Sequence, residues 1–219
     1  AEEKLKFNNQ IENPALLAAT QQKLGNLFFH EKLYVNARRY YFDILEKQPD
    51  NYNVAEKIAD AYLNELRYDS AIHTYKELSI QFKETNNLPR LVQVYQKLAN
   101  TYDIAGPPGK SLHYYRLIED IIERNGSPSE KALLYNNMGK QYALLNEYKE
   151  ALTYFRRCEL QCTYVDCEYP EVLYANLGIA LHNTGNTAEG VEYLKKARKI
   201  VISNKDKQAQ ASLEHLLAG

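Results

Sequence analysis

A large apolar residue followed at once by a small one recurs along the chain. The pairs are Leu24-Gly25, Ile58-Ala59, Leu98-Ala99, Met138-Gly139 and Leu177-Gly178, at separations of 34, 40, 40 and 39 residues. Four residues after each large member stands another bulky side chain, Phe28, Tyr62, Tyr102, Tyr142 and Leu181. That spacing is one turn along the same helical face. Thirteen residues after the same anchor comes a small residue, Ala37, Ala71, Ser111, Ala151 or Gly190, and four further on Tyr41, Tyr75, Tyr115, Phe155 or Leu194. The first set predicts one helix and the second predicts another packed closely against it.

Short polar turns such as NELRYDS, LNEYKE and NTGNTAE separate the two helices of a pair, and breakers such as Pro49, Pro89, Gly126-Ser127-Pro128 and Pro170 separate the pairs. Strand-like alternation is absent from the sequence. The pattern predicts helix, turn, helix, five times over: an all-α solenoid in which each hairpin buries its apolar face against its neighbours.

The large-small pair, the bulky residue one turn later, the small residue, the aromatic and Pro49 together resemble the tetratricopeptide repeat, over roughly residues 18–205. Two features depart from that family's pattern. Its usual first-helix Trp is replaced by Gln21, Ala55, Tyr95, Tyr135 and Tyr174, and the closing Pro appears only in the first repeat. The longer spacing of the later repeats is similar to that of kinesin light chains, Pins-type polarity adaptors and peptide-sensing bacterial regulators. The resemblance implies a right-handed α-solenoid that serves as a binding platform. It divides the chain into repeats at about 18–51, 52–91, 92–131, 132–170 and 171–205, with an N-terminal cap or the end of a preceding repeat at 1–17 and a capping helix at 206–219.

Composition narrows the function class. A chain of 219 residues that is 45% hydrophobic with net charge −1 has a sizeable core and no basic footprint for nucleic acid. No apolar run is long enough to cross a bilayer, so neither nucleic acid nor membrane insertion is expected. The start at Ala1, without Met or a charged-then-apolar leader, suggests a cut piece or a processed form. Three cysteines crowded into ten residues, Cys158, Cys162 and Cys167, make no disulfide framework, and a cytoplasmic, reducing compartment is the expectation. Export would instead let Cys162 and Cys167 close a small loop.

The stretch AGPPGKS, residues 105–111, ends like a phosphate-binding loop, but Ile104 stands where that motif needs Gly, and a helix precedes it where a strand is required. Ser111 is also the small contact residue of the third repeat. AGPPGKS therefore reads as an interhelical turn, and no nucleotide or other cofactor is expected. The histidines His30, His73, His113, His182 and His215 lack metal-site spacing, and three thiols fall short of a structural zinc site. Cys158 belongs to the core of the fourth repeat's second helix. Asn125-Gly126-Ser127 would be glycosylated only on a eukaryotic secretory route, and Pro128 after it weakens that sequon. No catalytic constellation is present, so the chain reads as a non-enzyme.

A second stripe runs along each first helix, opposite the Leu-Gly face. It reads Ala19, Lys23, Asn26, His30; Asn53, Lys57, Asp60, Asn64; Gln93, Lys97, Asn100, Ile104; Leu133, Asn137, Lys140, Leu144; and Val172, Asn176, Ile179, Asn183. The resemblance places this face on the concave side. The residue before each anchor then forms a row, Lys23, Lys57, Lys97, Asn137, Asn176. Aligned ammonium groups favour carboxylate or phosphate, although Asp60, one turn from Lys57, supplies a counter-charge. Asparagines suit the backbone of an extended peptide, and the resemblance to adaptor repeats assigns that role to Asn137 and Asn176. Ile104, Leu133, Leu144, Val172 and Ile179 make the later part of the stripe more apolar.

The expectation is a non-enzymatic scaffold for protein-protein interaction. It would bind a peptide with acidic and apolar residues through Lys23, Asn26, Lys57, Lys97, Asn100, Asn137, Lys140, Leu144, Asn176 and Ile179. The alternative is a sensory or regulatory segment of a larger signalling protein, one that self-associates through second-helix tyrosines left exposed in Tyr40-Tyr41, Tyr114-Tyr115 and Tyr154-Phe155.

Overall fold

A computed structural model describes residues 14–107, 109–167, 169–203 and 214. Of the expected capping segments at 1–17 and 206–219, residues 1–13 and all of the second except Glu214 lie outside the described residues. Among the described residues every regular element is an α-helix: α1 Pro14–His30, α2 Tyr34–Lys47, α3 Tyr52–Asn64, α4 Tyr68–Glu84, α5 Leu88–Ala105, α6 Lys110–Asn125, α7 Pro128–Leu144, α8 Tyr148–Gln161, α9 Pro170–Asn183 and α10 Thr187–Ser203. The chain divides between Ala105 and Gly106 into two compact units. In the first, α1 to α5 each pack on the next helix in the chain; in the second, α6 to α10 do the same, and α7 also touches α9.

The small-large spacing of the sequence is the packing register. A Cβ on Gly25 would lie 2.5 Å from Cε1 of Tyr41, and a Cβ on Gly139 2.5 Å from Cε1 of Phe155. In each case the glycine lets a ring on the second helix sit against the backbone of the first. Ala59 and Ala99 stand at the same place and are fully buried, and so are the small residues of the second helices, Ala37, Ala71 and Ala151. In the first unit Ala37, Tyr41, Ile44, Val54 and Ile58 form one cluster flanked by Phe28, Phe29, Leu45 and Tyr62. Burying side chains of this size supplies about 1.5–3 kcal/mol each.

The hairpin turns share one construction. Lys32, Leu66, Asn146 and Gly185 take positive φ, and the next residue's N–H returns to a carbonyl five residues back: Leu33 to Phe28 at 2.8 Å, Arg67 to Tyr62, Glu147 to Tyr142 and Asn186 to Leu181, each at 2.9 Å. This closure satisfies carbonyls that a helix end leaves open. The third turn differs. There α5 stops at Ala105 and α6 starts at Lys110, behind Gly109 at φ 88°. The GSP breaker starts α7 with a capping box, Ser127 accepting from the Glu130 N–H while Glu130 accepts from the Ser127 N–H, and Pro128 in the first turn.

Candidate functional site

In the first unit, the predicted stripe is largely engaged with its own fold. Asn26 Oδ1 accepts the Tyr41 hydroxyl at 2.9 Å. At the corresponding place in the next repeat, Asp60 accepts the Tyr75 hydroxyl. Lys97 Nζ lies 2.8 Å from the same Asp60 oxygen. The ion pair of Asp60 is therefore made with Lys97 of the following repeat, and not with Lys57 as the one-turn spacing suggested. Arg90 engages a further stripe position, donating to Asn53 at 2.8 Å, and pairs with Glu56 beside the stripe at 2.9 Å. Asn100 accepts from Gln96 at 2.8 Å. Lys23 is exposed and Lys57 half-buried, and neither makes an ion pair among the described residues. The row of three free ammonium groups thus reduces to two, because Lys97 is held by a carboxylate of the fold.

The second unit's face is apolar. Leu133, Leu144 and Val172 are 56%, 66% and 43% exposed. Ile179 is half-buried, as are Asn137 and Asn176, and Lys140 is exposed. Asn176 Nδ2 is a buried donor without a hydrogen-bond partner among the described residues. A cavity of about 670 Å³ opens among α7, α9, the end of α8 and the segment that follows it. Leu133, Lys140 and Val172 from the stripe line it, with Asn136, Cys158, Cys162, Val165, Asp166, Cys167 and Tyr169. The asparagine that lines the cavity is Asn136, one position from the Asn137 that the stripe singles out.

The cysteines are divided. Cys162 and Cys167 form a disulfide with Cα atoms 5.3 Å apart, closing the small loop that the sequence offered only as the alternative to a reduced cluster. Cys158 is a buried free cysteine whose thiol is pushed up to about 12 by burial. The stripe reached this cavity through Leu133, Lys140 and Val172, whereas the sulfur side of it was signalled only by the crowding of three cysteines within ten residues.

Of the tyrosines proposed as a self-association surface, Tyr114 is buried and Tyr40 and Tyr154 are half-buried. Tyr40 stacks on Phe28 with centroids 5.5 Å apart, Tyr154 stacks on Tyr142 at 5.3 Å, and Tyr114 is 9% exposed. Beneath Tyr154, Arg157 joins three helices: it pairs with Glu119 at 2.6 Å and Glu123 at 2.7 Å and lies 4.0 Å from the Tyr135 ring centroid. The first aromatic of each doublet is thus at least partly engaged with the fold. Ser111, in the stretch that resembles a phosphate-binding loop, is 1% exposed.

The tetratricopeptide-repeat family model matches residues 172–200, which span most of α9 and α10. The chain has the tetratricopeptide-repeat fold. Solved structures with the same fold include the apo form of RapI, at TM-score 0.78 and 16% identity over 91% of this chain and 75% of that one. BtubC from P. vanneervenii follows at TM-score 0.72 and 18% identity, over 94% and 88% of the two chains. A putative kinesin light chain of Podosopora anserina, with nearly identical TPR-like repeats, gives TM-score 0.70 and 14% identity over 90% and 100%. No curated protein matches the sequence significantly. At these identities the likeness is one of fold. No described helix of the chain is long and apolar enough to cross a membrane.

Proposed function

We propose that this tetratricopeptide chain is a non-enzymatic scaffold that binds a protein partner through the exposed faces of its first helices. The exposure of Leu133 and Val172 at the cavity of the second unit, and of Leu144 one turn beyond Lys140 on the same stripe, carries the reading. Large apolar side chains left in water beside a concavity mark a place where another surface docks. The partner contributes apolar side chains there and a carboxylate to Lys140. Asn137, with donor and acceptor, and Asn176, through its amide oxygen because its Nδ2 is buried, serve the backbone of an extended segment, and Ile179 extends the apolar strip. In the first unit Lys23 and Lys57 are the cations open to acidic residues of the partner, and Asn26 and Asn100 belong to the same stripe. Lys97 contributes through Asp60 and positions the face instead of contacting the partner.

The test is selection from a random peptide library, followed by calorimetric titration of the selected peptides. Selected sequences are expected to be apolar with acidic residues. Leu144→Asp should weaken binding at any salt concentration. Lys57→Ala should weaken it by about 1.5–3 kcal/mol, the range for hydrogen bonds to charged groups, and by less as salt rises. Peptides that bind all variants equally would remove the first-helix faces from the reading.

A further inference from the structure

We propose that the Cys162–Cys167 disulfide is a redox latch on the cavity of the second unit, fixing its loop wall when oxidised and releasing it when a dithiol reductant opens the bond. The consequence for a partner rests on the binding reading above; the latch itself does not.

The bond sits where little else holds the chain. Cys162 closes α8, its N–H returning to the Cys158 carbonyl at 3.0 Å, and Thr163 and Tyr164 turn back on Leu160 and Gln161 at 3.1 and 3.0 Å. From there to Cys167, no backbone hydrogen bond is made by Val165, Asp166 or Cys167 among the described residues. At the far end, Tyr169 precedes α9 at φ 55° without a side-chain cap, whereas α7 starts from a full capping box. Val165, Asp166 and Tyr169 nevertheless all line the cavity, as do both bonded cysteines. A wall whose backbone is not tied by hydrogen bonds is placed by the covalent bond across its base.

The sulfur chemistry supports reversible opening at this bond alone. Cys162 and Cys167 are half-exposed, within reach of a reductant. A dithiol's thiolate attacks one of the two sulfurs, the other leaves as a thiolate and takes up a proton, and the second thiol of the reductant releases the mixed disulfide. Two electrons pass from the dithiol, which becomes a disulfide, and the chain gains two thiols. The remaining cysteine does not compete. Cys158 is buried, and its thiol, held in the protonated form, is a poor nucleophile at neutral pH.

The latch is tested on the full chain in oxidised form, after dithiothreitol, and as the Cys162→Ser/Cys167→Ser double variant. Amide hydrogen exchange over residues 163–169 and titration with anilinonaphthalene sulfonate, an apolar dye with one negative charge, are the readouts. Reduction is expected to speed exchange there at least about tenfold while leaving α7 unchanged, and to shift the dye's Kd at least about threefold. The double variant should match the reduced chain and ignore dithiothreitol, whereas Cys158→Ser should respond like the wild type. Unchanged exchange on reduction would overturn the latch, and faster exchange with constant dye affinity would overturn its control of the cavity. Loss of the response in Cys158→Ser would overturn the pairing. Dye binding to the oxidised chain that is insensitive to Leu133→Asp counts against the binding face itself, and exchange then decides the latch alone.

Discussion

Lys97 on α5 holds its ammonium 2.8 Å from Oδ1 of Asp60 on α3, and that oxygen also accepts the hydroxyl of Tyr75 on α4. One carboxylate thereby ties together three helices of the first unit. Removing the cation leaves a half-buried carboxylate with one donor fewer, and the Lys97 side chain is itself 38% exposed, so solvent screens part of the pair. Lys97→Ala is expected to destabilise the chain by roughly 1 kcal/mol, and Lys57→Ala to stay within about 0.5 kcal/mol. Urea denaturation of the two variants checks this. Equal losses would mean that Asp60 does not depend on Lys97.

Gly139→Ala sets helix propensity against packing. Alanine favours a helix interior by about 1 kcal/mol over glycine, but its methyl would lie 2.5 Å from the Phe155 ring, whose side chain is 1% exposed and has nowhere to move. Overpacking of this kind costs about 1–3 kcal/mol. A lower melting temperature for Gly139→Ala, beside an unchanged one for the exposed Lys149→Ala, is the expected result. A stabilised Gly139→Ala chain would show that the two helices can separate slightly without loss.

Alkaline pH should unfold the protein through its tyrosines. Burial raises the Tyr41 hydroxyl to about 12, with the charge of Asp60 adding to it. Tyr135 and Tyr154 are likewise raised to about 12, first by burial and then by Glu123 and Glu119 respectively. These phenols are neutral in the folded chain at a pH where the unfolded chain, with tyrosines near 10, has already released its protons. Their contribution is therefore complete below pH 10 and is lost as pH rises towards 12. Thermal melts from pH 8 to 12 should be level up to about 10 and fall thereafter, with a shallower fall in Tyr41→Phe. A Tyr41→Phe chain with the same alkaline slope as wild type would exclude that residue from the linkage.

The likeness to tetratricopeptide repeats and the register of each hairpin were legible in the sequence, because close helix packing needs a small residue opposite a ring. That requirement is local: Gly25 and Tyr41, or Gly139 and Phe155, lie sixteen residues apart within one hairpin. The sequence also carries a pattern that becomes readable once Asn26 is seen to accept from Tyr41 and Asp60 from Tyr75. A polar acceptor on the first helix accompanies a tyrosine on the second, and where Lys140 and Ile179 replace the acceptor, Phe155 and Leu194 replace the tyrosine.

Which side chains of the outward stripe remain open to a partner was decided only by the tertiary structure. Lys23, Lys57 and Lys97 are equivalent by position, yet Lys97 alone is held by Asp60, thirty-seven residues away in the preceding repeat. Tyr40 and Tyr154 read as exposed because their cover, Phe28 and Tyr142, belongs to the opposite helix of the hairpin. The cysteine pairing and the cavity behind Leu133 depend on where the end of α8 and the start of α9 come to rest. Helical periodicity fixes which way a residue faces along its own helix. It does not fix which charge, ring or sulfur the next helix brings within bonding distance, and those encounters separate a residue spent on the fold from one left for a partner.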